Sequence, residues 1–125
     1  MQLEDLEVYK EALKIADEIW NIVSKWDCFQ KDTVGKQIVK PSDSIGANIS
    51  EGYGRYFHEE YLQFCYYSRG SLFETKTWLL KASNRKLITK ENYSDLNEKL
   101  NLLKMKLNGY IKFLRNNQPP KQINH

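Results

Sequence analysis

Tyr93, Leu96, Leu100, Leu103, Leu107, Tyr110 and Leu114 follow one another at spacings of 3, 4, 3, 4, 3 and 4. A helix with this repeat carries one continuous apolar seam, and such a seam is buried only by other helices packed nearly parallel to it. Thr89 stands where its side chain can cap the start, and the run Asn116-Asn117-Gln118-Pro119-Pro120 stops the helix. No stretch alternates apolar and polar residues long enough to make a useful strand. The chain must therefore supply helical partners for this seam from its other residues.

Three further helices are expected. The first spans about Glu4 to Trp26, with Glu4, Asp5 and Glu7 at the end where acids favour the helix dipole. It carries two apolar stripes: Leu6, Tyr9, Leu13, Ala16, Trp20 and Val23, and then Val8, Ala12, Ile15, Ile19, Ile22 and Trp26. One stripe can face the bundle, and the other needs a second partner. The second helix is expected to start at Asp32 as N-cap and to kink or break near Lys40 and Pro41, because proline lacks the amide that would bond the Gln37 carbonyl. The third runs from Phe57 or His58 to about Arg85 and is apolar almost all round, as a central or interface helix is. Ser68, Ser71 and Thr75 form a small-residue patch on it, and mid-helical Gly70 costs about 1 kcal/mol against alanine; such residues suit close approach of another backbone. At 125 residues there is one core. The fold class is all-α: an antiparallel up-and-down four-helix bundle over residues 1–115, followed by a polar tail, 116–125, expected to be disordered.

The second helix ends in the stretch from Ser44 to Arg55, closed by Gly52 and Gly54. Gly52 is expected to end the helix in a left-handed conformation and Gly54 to let the chain turn again. At about 100° per residue, Gln37, Ser44, Asn48, Glu51 and Arg55 fall in a narrow arc beside the stripe of Ile38, Ile45 and Ile49. A polar row bordering a buried face is read as a hydrogen-bonded structural network. The rival reading is a notch for a ligand or partner.

Charge is unevenly distributed. Residues 1–80 carry 9 Lys+Arg against 13 Asp+Glu, and residues 81–125 carry 10 against 3. Either an acidic helix packs beside a basic one, within or between subunits, or the basic part meets nucleic acid. The candidate nucleic-acid face is Lys90, Lys104, Lys112 and Arg115. Cys28 and Cys65 stand alone, without the spacing of a zinc site or a disulfide framework, and are read as reduced packing residues. With no apolar run of about 20 residues and an acidic beginning, a cytoplasmic protein is expected. His58-Glu59-Glu60 offers bases at a helix start, where acids are useful anyway. No nucleophile, metal cluster or phosphate-binding loop accompanies them, so no enzyme, metal or cofactor is expected.

The segments Gln37-Ile38, Asn48-Ile49-x-Glu51-Gly52-x-Gly54-Arg55, Arg69-Gly70-Ser71-Leu72-x-Glu74 and the opening Leu3-Glu4-Asp5-Leu6-Glu7-Val8-Tyr9 together resemble the four helix bundle protein family first noticed in intervening sequences of 23S rRNA genes. The resemblance covers nearly the whole chain. It implies an up-and-down bundle assembling as a homopentameric ring without known catalytic activity. A relative in that family is the nucleic-acid-binding accessory subunit of a reverse transcriptase. Phe57 departs from the serine often found at the third helix start, and Val39 and Lys40 from a common pair of arginines. The reading is a non-enzymatic, oligomeric scaffold or interaction protein; the alternative is a nucleic-acid-binding accessory protein. Candidate residues for the oligomer interface are Val8, Ile15, Ile19, Ile22, Trp26, Tyr66, Tyr67, Phe73 and Trp78.

Overall fold

The computed structural model describes residues 2–118, whose regular structure is helical throughout. After a short 3-10 turn, Leu3–Asp5, helix α1 spans Glu7–Val23. Helix α2 is a continuous run that starts as Cys28–Gln30, widens into a π turn over Lys31–Gly35 and continues as Lys36–Tyr53. Helices α3, His58–Asn84, and α4, Lys90–Asn116, complete an all-α four-helix bundle. Successive helices pack side by side, and α4 returns against α1, so each helix has two lateral neighbours. The short connections make those neighbours antiparallel. Helix α4 ends one residue beyond the expected boundary at 115, and residues 119–125 of the expected tail lie outside the described residues.

The seam of α4 is where its spacing puts it. Leu96, Leu100, Leu103 and Leu107 are fully buried among Ile19, Ile38, Ile45, Ile49, Leu72 and Leu79. Each such side chain contributes roughly 1.5–3 kcal/mol by leaving water. The stripes of α1 divide differently from expectation. Val8, Ala12, Ile15, Ile19 and Trp26 are the core side, joined by Ala16 and Val23, whereas Leu13 and Trp20 remain 43% and 58% exposed. Val8, Ile15, Ile19 and Trp26 are therefore corrected as interface candidates: the subunit itself already buries them.

Helix α2 departs from the sequence reading at three places. Its N-cap is Asp27, not Asp32: the Asp27 carboxylate accepts from the Gln30 amide at 2.8 Å, and the Gln30 side chain accepts from the Asp27 amide at 3.2 Å. This reciprocal box starts the helix one turn early. The helix also runs through Pro41 without a break. The irregularity falls earlier, in the π turn, where the Lys36 amide bonds the Lys31 carbonyl. There the buried Gly35 lets α1 approach, since a Cβ at that position would stand 2.9 Å from Cγ1 of Val23.

Gly52 does not end the helix as expected; Gly54 does. Gly52 lies inside it, buried, and Gly54 is the C-cap in right-handed conformation, with φ −80°. Gly52 is small for a packing reason: a Cβ there would meet Cβ of Phe64 at 2.7 Å and Cδ1 of Tyr61 at 2.9 Å. The same contact line continues where Ser68 of α3 donates to the Ile45 carbonyl of α2 at 2.8 Å. Gly70 lies on the open side, where a Cβ would meet nothing within 4 Å, so the small residues of α3 are divided between Ser68 and Thr75 inside and Gly70 outside. At the far end of α3 the chain turns through Lys86, with φ 61°, while Leu87 bonds the Ala82 carbonyl and Lys86 the Ser83 carbonyl. This is the Schellman pattern, made here without glycine.

Gly52→Ala should lower stability by about 1–3 kcal/mol through overpacking, even though alanine gains about 1 kcal/mol in helix propensity. Gly109→Ala, where a Cβ meets nothing within 4 Å, should instead raise stability by up to about 1 kcal/mol. Urea denaturation of both variants checks the contrast. Equal effects would contradict the close approach at Gly52.

Candidate functional site

The polar row of α2 lies along its flank towards α3, but it does not form one network. Arg55 binds Glu51 at 2.7 Å, approaches Glu60 at 3.6 Å and lies over the Phe64 ring, 4.9 Å from its centroid. The helix persists to Tyr53, so the pairing between residues 51 and 55 survives the intervening Gly52. Ser44 donates instead to the Lys40 carbonyl of its own helix at 2.9 Å. Gln37 and Glu51 are exposed and Asn48 half-buried. Among the described residues no hydrogen bond joins Gln37, Ser44 or Asn48 to Glu51 or Arg55. The network is thus corrected to an ion-pair cluster at the α2–α3 turn, because the row sits just outside the buried arc and water reaches it.

The end of the bundle below that turn is closed by aromatic groups. The Tyr61 and Tyr110 hydroxyls are hydrogen-bonded to each other, and burial, followed by this bond, pushes the Tyr61 hydroxyl well above its ordinary pKa. His58 donates through Nε2 to the Leu114 carbonyl at 2.7 Å, since a carbonyl can only accept. His58 thereby ties the start of α3 to the end of α4, in place of the base suggested by its sequence position. Cys65 is buried and its thiol is pushed up to about 12 by that burial, whereas Cys28 is exposed.

The charge asymmetry is largely resolved inside the subunit. Lys99 pairs with Glu18 at 2.6 Å and Asp95 at 3.0 Å, and Lys106 with Glu11 at 2.6 Å and Glu7 at 3.6 Å. Hydrogen bonds to Glu18 and Asp95 hold the Lys99 amine above its ordinary pKa. The acidic helix α1 thus packs beside the basic α4.

The flank between α3 and α4 is different. Arg69 donates to Asn108 at 3.0 Å and lies over the Tyr66 ring, Lys76 donates to Asn101, and Lys104 lies over Phe73. Among the described residues none of Arg69, Lys76, Lys104, Lys112 and Arg115 reaches a carboxylate within ion-pair distance. Amides and rings orient Arg69, Lys76 and Lys104 without neutralising them. Arg69, Asn108, Ile111, Lys112, Arg115 and Asn116 line an open cleft of about 390 Å³. The cations proposed from sequence therefore do not form one site: Lys112 and Arg115 meet in this cleft, Lys104 sits further along the flank, and Lys90 begins the other end of α4. Arg69 was missed because its helix read as an apolar one. Its pairing with Asn108 depends on the antiparallel register of α3 and α4, which spacing within one helix does not reveal.

Apolar side chains also remain outside. Trp20, Val23, Gly35 and Val39 line a second cleft, of about 310 Å³, between α1 and α2, with Lys31 and Lys36 at its edge. Of the interface candidates, Tyr67 and Phe73 are each 50% exposed, and Ile22, Tyr66 and Trp78 are half-buried.

Because Asn48 and Glu51 are solvent-accessible, Asn48→Ala and Glu51→Ala should each change stability by less than about 1 kcal/mol, the range of exposed pairs. Thermal melts check this. A loss of about 2–3 kcal/mol in either variant would show a buried partner that the geometry excludes.

No curated protein matches the chain. A crystal structure of a protein of unknown function from the S23 ribosomal protein family of Bacteroides thetaiotaomicron, at 1.70 Å resolution, is similar, with 27% identity and a TM-score of 0.78. The alignment covers 84% of this chain and 95% of that one. The sequence pattern of the 23S rRNA-intervening sequence proteins matches residues 4–109, and the chain belongs to that family.

Proposed function

We propose that the protein is a non-catalytic, self-associating scaffold of the cytoplasm that uses no metal or cofactor. The observation that carries this reading is the apolar surface left on two sides of the bundle: Leu13 and Trp20 on one, Phe73 and Leu80 on the other. Soluble chains seldom leave such side chains wet in contiguous patches. A free, exposed Cys28 fits a reducing compartment. The family resemblance supports a ring of five copies. Light scattering at micromolar concentration should give a mass of several chains, and about 14.8 kDa, the mass of one chain, would overturn the reading.

A second reading is favoured by the flank of unneutralised cations: a nucleic-acid-binding accessory role. Arg69, Lys112 and Arg115 share one cleft with the amides of Asn108 and Asn116 and no carboxylate among its lining residues, a composition that suits phosphate oxygens and reads no bases. Binding should be independent of sequence, with log affinity falling against log salt at a slope of about −0.9 per duplex phosphate contacted. In electrophoretic shifts on mixed RNA and DNA at low salt, Arg69→Gln with Lys112→Gln and Arg115→Gln should weaken all sequences alike and flatten that slope. No binding at tens of micromolar protein would remove this reading. Binding unaltered by the triple replacement would move it off this cleft.

A further inference from the structure

Two strips on opposite sides of the bundle have matching patterns. On α1, Leu13, Asp17 and Trp20 succeed one another at spacings of 4 and 3, and Asp43 of α2 is near enough to feel the charge of Asp17. On α3, Phe73, Lys76 and Leu80 do so at 3 and 4, and Lys104 of α4 lies beside Lys76. In both strips a charge stands between two apolar side chains seven residues apart, all four of which are 43–58% exposed. Since α1 packs on α2 and α3 on α4 in a bundle of laterally paired helices, the two strips face away from each other. Helices α1 and α3, each antiparallel to α2, run in the same direction.

The strips also lie at the same height. Lys76 is bonded to Asn101, and two residues away Lys99 is paired with Glu18, the neighbour of Asp17. One transverse layer therefore contains Asp17 on one side and Lys76 on the other. Each strip holds a like-charge pair that the isolated subunit leaves uncompensated. Burial, then the nearby Asp17, raises the Asp43 carboxyl; burial, then Lys104, lowers the Lys76 amine. Opposite charge supplied from outside would relieve both.

We propose that the α1–α2 strip of one copy docks in register on the α3–α4 strip of the next, with Leu13 against Phe73, Asp17 and Asp43 against Lys76 and Lys104, and Trp20 against Leu80. This rests on the self-association reading and names the surfaces that meet. The contact is heterologous, so two different patches of the same chain meet, and because the strips are parallel and level it repeats without a rise along the bundle. Pairing of the α1–α2 strip with itself would oppose Asp17 and Asp43 to like charges. Lys31 and Lys36 stand beyond Trp20, at the end of the strip and outside its charged centre. The cleft of Arg69, Lys112 and Arg115 lies beyond Phe73 at the other end.

Light scattering on full-length variants tests the pairing. Asp17→Lys with Asp43→Lys should reduce the mass to one chain, or weaken association at least a hundredfold, and so should Lys76→Glu with Lys104→Glu. All four replacements in one chain should restore the assembly, which a folding defect would not allow. A wild-type assembly that survives both charge reversals, or a fourfold variant that stays a single chain, would overturn the proposed surfaces. A wild-type monomer would instead overturn the self-association on which they rest. As an independent readout, Asp17→Cys with Lys76→Cys in a Cys28→Ser background should give a ladder of disulfide-linked chains on oxidation, and the absence of a ladder would count against the register.

Discussion

The close approach of α2 and α3 is the constraint on which the remaining structure depends. Gly52 against Cβ of Phe64 and the Ser68 hydroxyl on the Ile45 carbonyl bring the two backbones together along a line of small residues. Close packing of this kind leaves no tolerance for an added methyl group, because interiors are filled to crystal-like density. Ile38, Ile45, Ile49, Leu72 and Leu79 are buried in the same core, and the seam of α4 is buried with them. Helix α1 is attached more adaptably, through Gly46 and Gly35 on α2 and through lysine–glutamate pairs on α4.

Those ion pairs show how charge is apportioned. Lys99 and Lys106 meet acids of α1 across a partly solvated groove, where each pair adds about 0–1 kcal/mol and its larger effect is to set which helices are neighbours. The cations between α3 and α4, Arg69, Lys76 and Lys104, are held by Asn101, Asn108, Tyr66 and Phe73. An amide orients a lysine as well as a carboxylate does, but leaves its charge available to another molecule. The same bundle thus has a groove between α1 and α4 whose charges are satisfied and a flank between α3 and α4 whose charges are not.

Much of the fold was legible in the sequence because it depends on local periodicity. The leucines of α4, the break at residues 85–89 and the all-helical class follow from spacing and caps alone. The failures have a common physical origin. Gly52 was read from its own backbone freedom, while its role is set by Phe64 and Tyr61 of another helix. Likewise the stripe of α1 that faces inward was decided by where α2 and α4 dock, so Val8 and Ile15 became core and Leu13 and Trp20 stayed outside. Asp27 was an available signal, since an acid followed three residues later by glutamine makes a capping box, and it competed with the equally plausible Asp32. The candidate sites were less legible than the fold: Arg69 joins Lys112, and Asp43 joins Asp17, only once register between helices is known.

If the α2–α3 contact line organises the bundle, its backbone should be the last to open. Native-state hydrogen exchange resolves this residue by residue, because amides that exchange only through global unfolding mark the most stable unit. The amides of Ile45 to Ile49 and of Cys65 to Thr75 should exchange last, with a free energy equal to that of global unfolding, while those of α1 exchange earlier through partial opening. Exchange of the α2–α3 amides ahead of those in α1 would contradict the account.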